Sequence, residues 1–369
     1  MNKTAWIGIL VAENPAVHRI PERSYYEQLS LAAASEKVAI YVFSPDQVNW
    51  SSKVVQGVTY TVSTKKWNET RCPIPHFIYD RSFFTNKAQL TKYHQFIRTY
   101  EQNRSGRILN HRLGSKWHVW NTLMRKTELH CALPATMLIR STQDVLDWFT
   151  NNDQAFIKPN AGTHGIGTAY IRKDGKNRFH IIGRNLKNEK YTLDCPDLHT
   201  FNGWLKTTLR ERNYLLQPYL QLCGQQGQPF DIRVLMQKNE KGEWTLTGKA
   251  VRSGTSGTMT SNLHGGGTAA DARHFLSQIY PHRAAREIQQ QIDDLAFIVC
   301  SCIEQNYGRM LELGIDFGVE PSGKVWLIEI NSKPGRNAFR QAGLPYAERQ
   351  AILNPIRYIR YLFEQSIGG

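Results

Sequence analysis

LELGIDFGVEPSGKVWLIEINSKPG, residues 311–335, holds the most informative local pattern in the chain. It reads as two apolar strands joined by the turn Glu320-Pro321-Ser322-Gly323. Asp316 lies on the first strand, Glu329 and Asn331 on the second. Residues two apart on a strand leave the same face, so Glu329 and Asn331 point together. A hairpin brings Asp316 alongside, and two carboxylates and an amide oxygen then converge. Hard oxygen donors of this kind suit magnesium, which takes few protein oxygens and shares the rest with water and phosphates. A hairpin with a merely polar end fits the same pattern, so the rest of the chain has to decide.

The chain has 369 residues, enough for two or three domains with substantial cores, and 41% of them are hydrophobic, which argues for a folded protein. No apolar run approaches the roughly 20 residues that span a bilayer, so no membrane partner is expected. The opening MNKTAWIGILVAENP has too short an apolar core and no small-residue cleavage site for a secretory signal, and reads as a first strand. Six cysteines are scattered with no CxxC pair, which points away from a disulfide framework or structural zinc and towards a reducing cytoplasm. The net charge of +15 is spread along the chain, +6 through residue 110 and +9 beyond. Diffuse positive charge favours nucleotides, acidic peptides and other anions. No nucleic-acid module accompanies it, so a nucleic-acid partner is not expected.

Residues 5–11, 38–43, 54–62 and 76–79 read as strands, and ERSYYEQLSLAAASEK between the first two as a helix opened by Pro21. That spacing is a βαβ unit, giving a small, mostly parallel α/β domain over residues 1–107. A helix over 85–103 is expected with Thr85 as its cap. Beyond it, residues 108–369 carry helices at 115–130, 142–152, 197–211, 284–305 and 346–365 around a β-rich block, 155–252, and a glycine-rich loop, 253–268.

FIKPNAGTHGIGTAYI, residues 156–171, ends a strand at Lys158 and follows it with Gly162, Gly165 and Gly167. Glycines let backbone N–H groups approach phosphates, and a lysine adds a point charge. Strand follows the glycines, so this is neither a Walker A loop nor a Rossmann turn; an ordinary glycine-rich hairpin fits as well. YLLQPYL (214–220) is an apolar strand ending at a proline, able to offer main-chain groups to an adenine ring. PFDIRVLMQ (229–237) sets Asp231 and Arg233 on one face of an apolar strand, where a buried cation needs an anion. Lys249 and Arg252 end the next strand and add positive charge to that neighbourhood. TSNLHGGGTA (260–269) pairs Asn262 and His264 with three glycines, a second loop able to close over phosphates.

In this order the motifs resemble the ATP-grasp fold, in particular its RimK-type branch across 107–335. The whole chain, with its C-terminal SKPG, is most similar to the YheC/YheD group of spore-associated ATP-grasp proteins. The resemblance implies an ATP-grasp domain preceded by a small pre-ATP-grasp α/β domain. It also implies an ATP- and magnesium-dependent carboxylate–amine ligase working through an acyl phosphate, adding amino acids such as glutamate to a peptide or protein. Lys116 and Lys158 would bind ATP phosphates under a lid formed by Gly162, Thr163, His164, Gly165, Ile166 and Gly167. Gln217, Pro218, Tyr219 and Leu220 would line the adenine pocket. Arg233, oriented by Asp231, would contact phosphate, while Arg252 and Asn262 would serve the transferring phosphate and the substrate carboxylate; His264 would be a phosphate contact. Asp316, Glu329 and Asn331 would hold two magnesium ions, and Lys333 and Arg336 would meet an anionic carboxylate substrate opposite an amine donor. The chain departs from the pattern at Pro218, where a glutamate is usual and a proline offers no N–H, and at Thr260, where an arginine is usual. The alternative is a spore-coat structural or interaction protein that keeps nucleotide binding with weakened turnover. Arg81, after HFIYD, could point towards the active-site cleft, but an ordinary surface role is the preferred reading.

Overall fold

The computed structural model describes residues 4–16, 18–103, 106–162, 165–175, 177–224, 227–254 and 267–367. Three sheets organise them, of seven, six and five strands, and the architecture is mixed α and β. In the first sheet, Ala5–Leu10 pairs in parallel with both Val38–Phe43 and Phe77–Asp80, and Phe77–Asp80 pairs in parallel with Arg107–Leu109. The helix between the first two strands, Arg23–Ser35, makes the expected crossover. Lys66–Pro73, too charged to read as a strand, adds an antiparallel partner to Val54–Thr61 along its whole length. Five of its eight residues are exposed, and a surface strand of that kind lacks the apolar run that sequence reading relies on.

Helix boundaries follow capping chemistry. Lys87–Gln102 is capped by Asn86, whose side chain accepts from the Gln89 N–H, not by Thr85. The expected helix over 115–130 stops at Leu123, and a separate 3-10 turn covers Thr127–Leu129. The C-terminal helix, Pro345–Ile367, bridges two layers: Ala347 and Ala351 pack with Leu235 and Ala250 of the five-stranded sheet, while Ile356, Ile359 and Leu362 share a core with Ile7, Ile9, Tyr26 and Val42. This contact joins the ends of the chain.

The six-stranded sheet packs Ile157, Ile171, Ile181 and Leu216 against helices Thr142–Asn151 and Leu198–Glu211. In the five-stranded sheet, the strands Phe230–Lys238 and Glu312–Val319 are central and buried along almost their whole length, with Val325–Asn331 at the edge. The helix His282–Tyr307 covers one face through Ile292, Ala296, Val299 and Ile303. The expected hairpin is present: Glu312–Val319 pairs antiparallel with Val325–Asn331 around the predicted turn, where Gly323 takes φ 86° and donates to the Glu320 carbonyl at 2.8 Å.

Candidate active site

The hairpin register places Asp316 directly opposite Glu329, and Asn331 opposite Gly314 two pairs further along. A bulge follows at once, since Phe317 pairs with Leu327. Bulges of this kind re-aim side chains and are common beside functional sites. Two carboxylates facing each other across a strand pair repel unless cations intervene. Here they do. Lys116 forms an ion pair with Glu329 and donates to the Gly162 carbonyl at 3.0 Å. Arg233 grips Asp316 with both arms, at 2.5 and 3.0 Å, and Arg252 reaches the same carboxylate at 3.0 Å. Asp231, expected to orient Arg233, instead holds Arg252 at 2.6 and 2.8 Å, as the cross-strand pairing of those two residues dictates, and Arg233 is oriented by Asp316. Burial alone would raise the Asp316 carboxyl, but the two guanidiniums hold it down at about 2. The amide nitrogen of Asn331 lies 3.4 Å from Asp316, so the third candidate ligand stands beside the first.

Lys249 does not join this cluster. It is three residues from Arg252, so strand alternation turns it to the opposite face, where it pairs with Asp293 of the covering helix at 2.6 Å.

Lys116 opens its helix under the cap Ser115, and its N–H donates to the Asn160 carbonyl at 3.0 Å; the Asn160 side chain accepts from the Trp117 N–H at 2.9 Å. Asn160, two residues after Lys158, therefore ties the two candidate phosphate lysines together, a role its sequence position did not reveal. Lys158 is pushed down to about 8 by burial first and by the nearby Lys116 second, with Glu329 opposing. Incoming phosphates would favour its charged form. Nucleotide binding at pH 8–9 is accordingly expected to take up a proton, and at pH 6 almost none. Calorimetry in buffers of different ionisation enthalpy reads this directly, and Lys158→Met should remove it. The unfolded chain keeps this proton up to its ordinary 10.5. Lys158 therefore lowers stability below pH 8, and that loss fades as pH rises from 8 towards 10.5.

Gly162, Gly165 and Gly167 all adopt positive φ, at 133°, 68° and 78°. At Gly167 a Cβ would lie 2.9 Å from the Pro159 ring, so side chains are excluded there by space as well as by conformation. Gln217 is buried at the end of its strand with its amide committed to the Thr136 hydroxyl at 2.6 Å. Pro218, Tyr219 and Leu220 follow half-buried, and the Tyr219 ring lies 4.3 Å from that of Tyr170 on the glycine-loop sheet. Thr163, His164, Thr260, Asn262 and His264 lie outside the described residues.

The segment after Asn331 is anchored inwards. Lys333 donates to Asp80 and to the Ser82 carbonyl, both at 2.8 Å. Arg336 pairs with Glu312 and stacks over the Tyr25 ring at 3.9 Å. Arg81 is no surface residue: it is 2% exposed, bonded to Glu22 at 2.5 and 3.0 Å and to Glu312 at 3.4 Å. Sequence reading missed Glu312, whose carboxylate also takes hydrogen bonds from Tyr79 and Gln237. Its place four residues before Asp316, on the same strand face, was the available signal.

Among the described residues, no helix is long and apolar enough to cross a membrane. The YheC/D-like ATP-grasp description matches residues 105–362. The endospore coat-associated protein YheC of Bacillus subtilis (strain 168) is 28% identical over 96% of both chains. The endospore coat-associated protein YheD of the same organism is 27% identical over 89% of this chain and 71% of its own length. Among solved structures, the ATP-grasp ligase PsnB with a minimal precursor superposes with a TM-score of 0.55 at 11% identity, covering 96% of this chain and 100% of its own. The D-cycloserine synthetase DcsG gives 0.54 at 12% identity, covering 97% and 99%. These likenesses establish the fold, and the family match over most of the length establishes the relationship: the chain belongs to the YheC/D-like ATP-grasp family.

Proposed function

We propose that this protein is an ATP- and magnesium-dependent ligase that joins a carboxylate to an amine through an acyl phosphate, with residues 1–107 as a pre-ATP-grasp domain and 108–369 as the ATP-grasp domain. One observation carries the proposal: Asp316 and Glu329 face each other on adjacent strands, with Lys116, Arg233 and Arg252 gathered around them. The chemistry of Asp316, Glu329 and Asn331 fits a hard divalent cation: the two carboxylates stand opposite each other in the hairpin register and the Asn331 amide lies 3.4 Å from Asp316. Bound there, magnesium neutralises the charge of the nucleotide phosphates.

The chain's own residues do the remaining work. Lys116 and Lys158 bind phosphate oxygens beneath the glycine loop, and Pro218, Tyr219 and Leu220 wall the adenine. A substrate carboxylate oxygen attacks the γ-phosphorus, and the bond to the β-phosphate oxygen breaks to release ADP. The amine then attacks the acyl carbon, the bond to phosphate oxygen breaks, and the nitrogen loses a proton to leave an amide. Arg233 and Arg252 meet the transferring group, with Asp231 fixing the Arg252 guanidinium. Positioning and charge neutralisation supply most of the catalysis in reactions of this type. PsnB was solved with a minimal precursor, and the basic balance of this chain suits an acidic peptide or protein tail as the carboxylate substrate. The coat association of the two Bacillus relatives points to synthesis in the cytoplasm and action at the spore coat.

Incubation with ATP, magnesium and mixtures of amino acids and acidic peptides is expected to release phosphate only when both substrates are present, with a mass gain of one residue on the acceptor. Nucleotide binding with no substrate-dependent phosphate release across such mixtures would favour a coat interaction protein instead.

A further inference from the structure

Asn110 lies one residue beyond Arg107–Leu109, the last strand of the first sheet, in left-handed backbone at φ 62°. It is fully buried, and its amide reaches into the neighbouring five-stranded sheet. Oδ1 accepts from the N–H groups of Leu311 and Glu312 at 2.6 and 3.0 Å, and Nδ2 donates to the Ser332 carbonyl at 2.5 Å. Leu311 leads into the strand that carries Asp316 and Glu312 begins it, and Ser332 directly follows Asn331. One side chain from the first sheet thus spans the two chain segments on which the candidate ligands sit. Pro334 lies across Gly314 so closely that a Cβ there would come within 2.7 Å of the proline, so the segment after Ser332 has little room to shift.

We propose that Asn110 is a positioning residue for the metal end of the site: by holding the Ser332 carbonyl against the start of the Asp316 strand, it aims Asn331 at the point shared with Asp316 and Glu329. This rests on the magnesium–nucleotide assignment above. The amide suits the task for two reasons. It accepts from two N–H groups while donating to a carbonyl, which a carboxylate does not do at neutral pH. Asparagine also tolerates the left-handed backbone better than most residues. Groups that orient metal ligands without touching the metal commonly change metal affinity by 10- to 100-fold when replaced.

The test compares Asn110→Asp with the wild-type full chain by calorimetry of a non-hydrolysable ATP analogue across a magnesium series, with melting temperatures measured in parallel. N110D keeps both accepted hydrogen bonds and loses the donated one. The magnesium concentration for half-maximal tightening of nucleotide binding is expected to rise about tenfold or more, with metal-free nucleotide affinity unchanged. Asn110→Gly, which suits the backbone and removes all three bonds, is expected to shift the magnesium requirement in the same direction and covers the case of an unstable aspartate variant. A lower melting temperature with an unaltered magnesium requirement in either variant would overturn the inference and leave the proposed function standing. Wild-type protein whose nucleotide binding ignores magnesium would overturn both.

Discussion

Replacing Glu329 and Asn331 together by alanine is expected to lower substrate-dependent phosphate release by about a thousandfold. A divalent cation contributes several kcal/mol to transition-state charge stabilisation, and each 1.4 kcal/mol is about a factor of ten. The ion pairs in the structure add a less obvious expectation for the single variant Glu329→Gln. Lys116 is held by Glu329, so a phosphate that recruits Lys116 must first compete with that carboxylate. Removing the charge frees the lysine, and metal-free ATP should bind more tightly to E329Q than to the wild type while magnesium loses most of its effect. Calorimetry with and without a chelator measures both quantities. Retained turnover in the double variant would sink the metal assignment, and unchanged metal-free binding in E329Q would show that the lysine–glutamate pair does not oppose the nucleotide.

Arg81→Met is expected to destabilise the fold by about 3–5 kcal/mol, the range for removing one partner of a buried ion pair. The guanidinium is enclosed by Glu22, Glu312 and the rings of Tyr25, Tyr79 and Phe83. Without it, Glu22 loses a two-armed partner and Glu312 keeps Arg336, Tyr79 and Gln237. Glu22 is held below its ordinary value by Arg81 against the opposing effect of burial. Part of the Arg81 contribution is therefore present above about pH 4.5 and fades as pH falls below it. Domains of ordinary stability have about 5–15 kcal/mol in total, so the variant should unfold at much lower urea concentration at pH 7. Its deficit should narrow at pH 4. The double variant Arg81→Met, Glu312→Gln should lose less than the sum of the single losses, because each side chain's cost includes leaving the other uncompensated. A loss below about 1 kcal/mol for Arg81→Met would mean that water replaces the guanidinium and that the network does not join the sheets.

Much of the fold was legible in the chain. The βαβ start, the hairpin at 311–335 and the glycine loop between strands all rest on local periodicity and turn chemistry, and these survive any tertiary context. Lys116, Lys158, Arg233, Arg252, Asp316, Glu329 and Asn331 were singled out by residue type and order; Arg233, Arg252, Asp316, Glu329 and Asn331 lie on the five-stranded sheet, Lys116 reaches Glu329 from its helix, and Lys158 belongs to the six-stranded sheet. Elements that were misread carry weak local signals. Lys66–Pro73 is an edge strand with exposed charges, and the helix cap moved from Thr85 to Asn86 because only the Asn86 side chain accepts the Gln89 N–H.

The sequence by itself determined the alternation that puts Glu329 with Asn331 and Asp231 with Arg233, because a strand's period of two depends on nothing beyond the backbone. It could not determine which charges would meet across 80 to 250 residues. Strand pairing set Arg233 against Asp316, the cap at Ser115 aimed Lys116 at Glu329, and the packing of the first sheet on the hairpin buried Arg81 and Asn110 against Glu312 and Ser332. Burial of a charge or an amide is tolerated only where partners are brought to it, and those partners came from elements distant in the chain, so the pairings arise on folding and leave no local trace.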